Sequence, residues 1–256
     1  MTFLKFTRLP ENDRVDSYAV ENTTRNLKAA VHIPRTLDGN KHLDTMALTS
    51  TLKDFTNKSA VLLEPHSESG WKTAAPEKLK PIMAETKALQ KTAIARSKEL
   101  EKRKVDLLKS DVDPAHAREL RAWLRTQKPA AAIQKMLKDP EAALAALENP
   151  VGIPGLDDTN LMREVERAAM LHNMAKGYKA EGYDSHRTPS IDDPLAHGVD
   201  PSRLNSIAKE GLANFEASLS DVDAVRGVIT QAVNYIAVAG DMSGHDAFHA
   251  VGLDKS

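Results

Sequence analysis

Two histidines give this chain its clearest opening for chemistry. His245 and His249 stand in the segment GHDAFHAVG, and a spacing of four places both imidazoles on one face of a helix. Such a pair can hold a metal ion. A catalytic metal needs further ligands and an open coordination position. Asp246 does not share the face of the two histidines, and there is no H-E-x-x-H pattern. The plainer reading is two polar histidines near the end of the sequence, one of them capping a helix. On that reading no catalytic, cofactor-binding or metal-binding residue is assigned, and no cofactor is expected.

Other titratable residues lead to the same place. His172 lies in an apolar helical context, MLHNM, which predicts a hydrogen-bonded histidine in the interior. His186 and His197 flank a loop with Asp184, Asp192 and Asp193. The D-x-D-x-D-G spacing of a calcium loop is missing there, so a solvated acidic loop is expected. The sequence has no phosphate loop, no dinucleotide-binding glycine motif and no serine elbow. It has no cysteine, which excludes disulfides, thiolate metal sites and cysteine nucleophiles.

The elements that position these residues are helical. Residues 1–75 show no sustained helical period and are broken by Pro10, Pro34 and Pro65. They predict an extended, irregular arm, in which Lys28–Ile33 and Ser59–Leu63 are short strands or isolated turns, and Asp38-Gly39-Asn40 is a turn. Residues 76–110 predict one long polar helix of coiled-coil character, with Pro76 at its start and Pro81 tolerated in its first turn. Its stripe is Ile82, Thr86, Leu89, Ala93, Ser97 and Leu100. A short-helix hub follows over 111–150. Asp113-Pro114 and Asp139-Pro140 each pair a capping carboxylate with proline at the first helical position. Leu120, Trp123 and Leu124 are expected in its core, together with Ile133, Met136 and Leu137. A helical domain is expected over 151–240, with helices from about Thr159 to Ala175, from Asp200-Pro201 to Leu219, and from Val222 to Ala239, the last capped by Ser220 or Asp221. Residues 241–256 form a C-terminal tail. The fold class is therefore mainly α: a helical bundle with a long polar helix and an irregular N-terminal arm.

Composition adds two constraints. Aromatic residues are only 4% of the 256, and the apolar share leans on alanine, which buries little area per residue. Thin helical layers follow, or stripes completed by another copy of the chain. The net charge of −1 hides a split, +9 over residues 1–138 and −10 over 139–256. Such a split suits an anionic partner, head-to-tail contact between copies, or simply the charged solvent faces that long helices need. The stretch Lys98–Lys104 (KELEKRK) carries charge that can meet phosphate, although its interleaved glutamates favour a solvated helix face. No segment nears the roughly 20 apolar residues of a membrane span, and Met1–Pro10 lacks the apolar core of a signal peptide.

Ala117–Ala168 resembles uncharacterised helical bacteriophage and prophage proteins. The matching residues are Glu119, Leu120, Arg121, Leu124 and Arg125, then Ala142, Ala143, Leu144, Leu147 and Pro150, then Gly155 and Leu156. Pro154 stands where those proteins carry serine before the glycine. The resemblance implies a phage origin and supplies no activity. The expectation is a non-enzymatic structural or assembly protein, a head, connector or internal component of a phage-like particle. Its partners would be copies of itself and other particle proteins. Nucleic acid is a possible partner of the basic first half. Its location would be the virion or the host cytoplasm. Two alternatives stand beside it: a helical metal-dependent hydrolase using His245 and His249, and a nucleic-acid-binding regulator using the basic 76–110 helix. The His245-Asp246 pair also resembles the metal dyad of HD-type phosphohydrolases, without the further His and Asp ligands that such a site requires.

Overall fold

A computed structural model describes residues 3–10, 13–182, 191, 194–195 and 200–255, the side chains of 201–202 and 255 apart. Among these the chain forms three strands and eight α-helices, so the mainly α class holds. It divides into two compact units. Unit 1 comprises residues 1–99 and 218–256, and unit 2 comprises residues 100–217.

Unit 1 corrects the expectation of an irregular arm. Strands β1 (Leu4–Arg8), β2 (Val15–Asn22) and β3 (Leu27–Pro34) form an antiparallel meander in the order β1-β2-β3. Leu4 opposes Asn22, and Tyr18 opposes Val31. Every second residue of β2 points inward: Asp16, Tyr18, Val20 and Asn22. The alternation required of a half-buried strand is therefore present, with polar groups at two of its four inward positions. Both are satisfied. Asp16 receives Arg35 through two hydrogen bonds, at 2.9 and 3.0 Å. Asn22 accepts from the Arg25 backbone N–H and closes the β2–β3 turn, in which Asn26 takes a positive φ of 52°.

Helix α1 (Met46–Leu63) buries Leu48, Leu52, Phe55 and Leu63, and Phe6 of β1 meets Phe55 edge-on at 5.2 Å. Ser59–Leu63, expected as a strand or turn, is the end of this helix. Leu63 completes the buried stripe begun at Leu48, while Val61 is 72% exposed. Helix α2 (Glu68–Leu108) starts before the two prolines, Pro76 and Pro81, that were expected to open it. Trp71 explains the difference. It is buried, and its indole N–H donates to the Ala239 carbonyl at 2.7 Å. Trp71, Ala75, Leu79 and Ile82 make a buried stripe that offsets the backbone bonds the prolines remove. The expected stripe onward from Ile82 is buried at Thr86, Leu89, Ala93 and Leu100. Thr86 is accommodated there by donating to the Ile82 carbonyl.

Unit 2 is built on consecutive helices: the last residues of α2, then α3 (Pro114–Arg125), α4 (Pro129–Lys138), α5 (Pro140–Glu148), α6 (Thr159–Ala180) and the first part of α7 (Pro201–Ala239). Asp113 and Asp139 cap α3 and α5 through their carboxylates, as the Asp-Pro pairs predict. In α5 every residue from Ala142 to Ala146 is buried, because α3, α4 and α6 all pack on it. The alanines do not wait for a second copy. Their lack of bulk lets three helices close round a fourth. Gly155 completes the hub. Its φ is +90°, and a Cβ there would lie 3.0 Å from the Ile133 side chain.

Three expectations fail in detail. Trp123 and Leu137 are 45% and 42% exposed, since Leu124 and Met136 turn the faces of α3 and α4 to the core instead. His172 is exposed, because the core face of α6 is Val165, Ala169, Met170 and Met174. Finally, Ser220-Asp221 interrupts nothing. Helix α7 runs through this point unbroken, with Leu212 and Phe215 buried before it and Val222, Val225, Val228, Ala232 and Ile236 after it, while Leu219 between them is 37% exposed. Asp221 accepts from Asn40 rather than capping.

Candidate functional site

Helix α8 (Gly244–Val251) brings His245 and His249 together. Its start is set by Ser243, whose hydroxyl oxygen accepts from the Asp246 N–H while the hydroxyl donates to the Asp246 carboxylate at 2.7 Å. That hydrogen bond holds the Asp246 carboxyl below the usual carboxylate range and commits Asp246 to the helix start. Ala247 and Val251 anchor the helix by burial. One helical turn then stacks the histidines, with Nε2 to Nε2 at 3.0 Å. Gly252 ends the helix at φ 74°, in the left-handed region that glycine enters without penalty. The reversal returns the chain through the 3-10 turn Leu253–Lys255, with Leu253 buried. Asp254 thereby reaches His249, Oδ2 to Nδ1 at 3.0 Å.

The result is a three-residue line, Asp254–His249–His245. A carboxylate accepts from a ring N–H, so the proton of His249 sits on Nδ1 and its Nε2 presents a lone pair. The spacing rule found the two histidines and missed Asp254. The signal for it was Gly252, which marks a helix stop and a chain reversal. Among the described residues no group of three or more His, Asp or Glu side chains is arranged to hold a metal ion. His186, His197, Asp184, Asp192 and Asp193 lie outside the described residues.

A second feature lies in unit 2. Pro129, Ile133 and Leu137 follow at intervals of four along α4. With Ala130 and Leu161 they line an open apolar depression of about 550 Å³, bordered by Gln134 and Lys138.

Three basic residues of α2 have partners within their own unit. Arg96 pairs with Glu99 at 2.7 Å, and Lys104 with Glu166 at 2.7 Å. The Arg103 guanidinium lies 5.7 Å from the centre of the Phe215 ring. The charge split along the sequence also does not become a split between units. Unit 1 holds 18 Lys+Arg against 17 Asp+Glu, and unit 2 holds 17 against 19. No helix among the described residues is long and apolar enough to cross a membrane.

The residues behind the phage-protein resemblance fall on the hub. Leu124, Ala143, Leu144 and Leu156 belong to its core. Arg121 donates to the Ala145 carbonyl and pairs with Glu148, and Arg125 donates to the Val151 carbonyl. These positions build the packing of unit 2 and present no reactive group. No protein-family model matches the chain, and neither does any curated protein or solved structure.

Proposed function

We propose that this chain is a non-enzymatic structural or assembly protein, a head, connector or internal component of a phage-like particle, that works through protein–protein contacts. The observation that carries the reading is the apolar depression on α4, with Leu137 left 42% exposed beside it. Covering a leucine side chain of this kind contributes on the order of 1–2 kcal/mol, and exposed apolar surface on a folded domain marks a contact site. The buried alanines of α5 no longer argue for a partner, so the proposal stands on this surface. Its particle context rests on the resemblance of residues 117–168.

Size-exclusion chromatography with light scattering tests it. Several copies per particle are expected at micromolar concentration, and Leu137→Asp shifts them towards smaller species without unfolding the chain. A compact monomer at every concentration, unaltered by Leu137→Asp, overturns self-association as the mode of action.

A further inference from the structure

We propose that His245 and His249 form a binding site for a late first-row divalent cation, Cu²⁺, Ni²⁺ or Zn²⁺, with Asp254 as the outer carboxylate that orients His249. The inference is independent of the assembly reading and assigns no hydrolysis.

The geometry carries it. The two Nε2 atoms are 3.0 Å apart, and two neighbouring ligands on an ion with bonds of about 2.0–2.1 Å are separated by roughly 3 Å. The rings are almost perpendicular, with centroids 4.2 Å apart. Rings whose nitrogens pointed straight at each other would stand further apart, so the lone pairs lie off the line between the nitrogens. A cation fits beside that line.

The outer shell is also in place. Asp254 accepts from Nδ1–H of His249, and this carboxylate–imidazole contact fixes the tautomer with Nε2 free to coordinate and raises its basicity. Without a metal, His245 keeps its proton on Nε2, in a bent contact with the His249 Nε2. On binding, that proton moves to Nδ1 of His245 and the cation takes its place, so no oxidation or bond cleavage is involved.

The site is built before any ion arrives. Ser243 fixes where α8 begins, Gly252 turns the chain, and buried Leu253 places Asp254. The Gln90 side chain donates to the Leu253 carbonyl at 3.4 Å. His249 is 45% exposed, which leaves the remaining coordination positions to water or to a partner's side chain. Two nitrogen ligands select the later metals in the order set by their intrinsic affinities, Cu²⁺ above Ni²⁺ and Zn²⁺.

The test is isothermal titration of the full chain, carrying no polyhistidine tag, with NiCl₂ and with CuCl₂. One ion per chain is expected, with Cu²⁺ the tighter. His245→Ala and His249→Ala abolish that binding, and Asp254→Asn weakens it by about 10–100-fold. Asp246→Asn, whose carboxylate is held by Ser243, leaves it unchanged. All four side chains lie at or near the surface, and circular dichroism melts confirm that the variants fold. Absence of binding, or binding that survives both alanine variants, overturns the proposal. If Asp246→Asn weakens binding as much as Asp254→Asn, the assigned outer carboxylate is wrong and the proposal fails in that form.

Discussion

The two units reach a packed interior by different means. Unit 1 takes most of the buried aromatic side chains. Tyr18, Phe55, Trp71 and Tyr235 are buried there, between a sheet and helices drawn from distant parts of the chain, whereas unit 2 buries Phe215. Unit 2 closes round α5, whose buried residues are four alanines and one leucine, using helices that are neighbours in sequence. A core needs matched volumes more than large side chains. Low aromatic content is therefore no sign of an unfinished domain.

That contrast can be broken by mutation. Trp71→Ala removes the largest buried side chain of unit 1 and its hydrogen bond to Ala239, and a loss of about 3–5 kcal/mol is expected in urea unfolding followed by circular dichroism. A loss below about 1 kcal/mol would mean that the sheet does not depend on this anchor.

Asp16 comes next. The hydrogen bond from Arg35 holds its carboxyl below the ordinary value of 3.8, with Arg8 assisting against the cost of burial. A depressed folded-state pKa gives stability that is complete above the unfolded value. That stability is lost as pH falls through the folded one. Asp16→Asn is expected to cost about 1.5–3 kcal/mol at pH 7, and the difference from the parent protein should vanish as both are acidified well below pH 3.8. A cost that persists unchanged in acid would show that shape, not charge, holds the residue.

How much of this was legible in the sequence depends on who supplies the partners. The Asp-Pro caps of α3 and α5 are local, and both helices start where those pairs stand. Strand β2 was hidden because its inward face includes Asp16 and Asn22: Asp16 is matched by Arg35, 19 residues away, which only the folded sheet brings near, while Asn22 is held by the Arg25 N–H of the turn that follows. Ser220-Asp221 looked like a cap because capping residues are recognised one at a time, whereas in the folded chain Asp221 is taken up by Asn40, 181 positions away in sequence. His245 and His249 were found by period alone. Asp254 was not, since a left-handed turn had to deliver it.

For unit 2 the sharper test is to overfill. Ala146→Leu inserts three carbons into a position with no free surface, and about 1–3 kcal/mol of destabilisation is expected. An equally stable variant would mean that the hub can expand, against the close packing described for α5. The smallest effect belongs to Tyr235→Phe. The hydroxyl is buried with no hydrogen-bond partner of good geometry, and burial pushes its ionisation far above the ordinary tyrosine value. Thermal melts should show no loss, or a gain of up to about 1 kcal/mol. A clear loss would reveal that the hydroxyl is engaged after all.

The Trp71–Ala239 contact also sets a schedule. The two residues are 168 positions apart, and all of unit 2 is translated between them. At a ribosome's pace of about 5–20 residues per second, the indole waits on the order of ten to thirty seconds for its carbonyl. Throughout that interval the β-strands have been made but Phe6 lacks Tyr235 and the His32 N–H lacks Gln231, while the hub already has every helix from α3 to α6. The nascent chain thus finishes its middle before its beginning, and chaperone demand should fall on the first hundred residues.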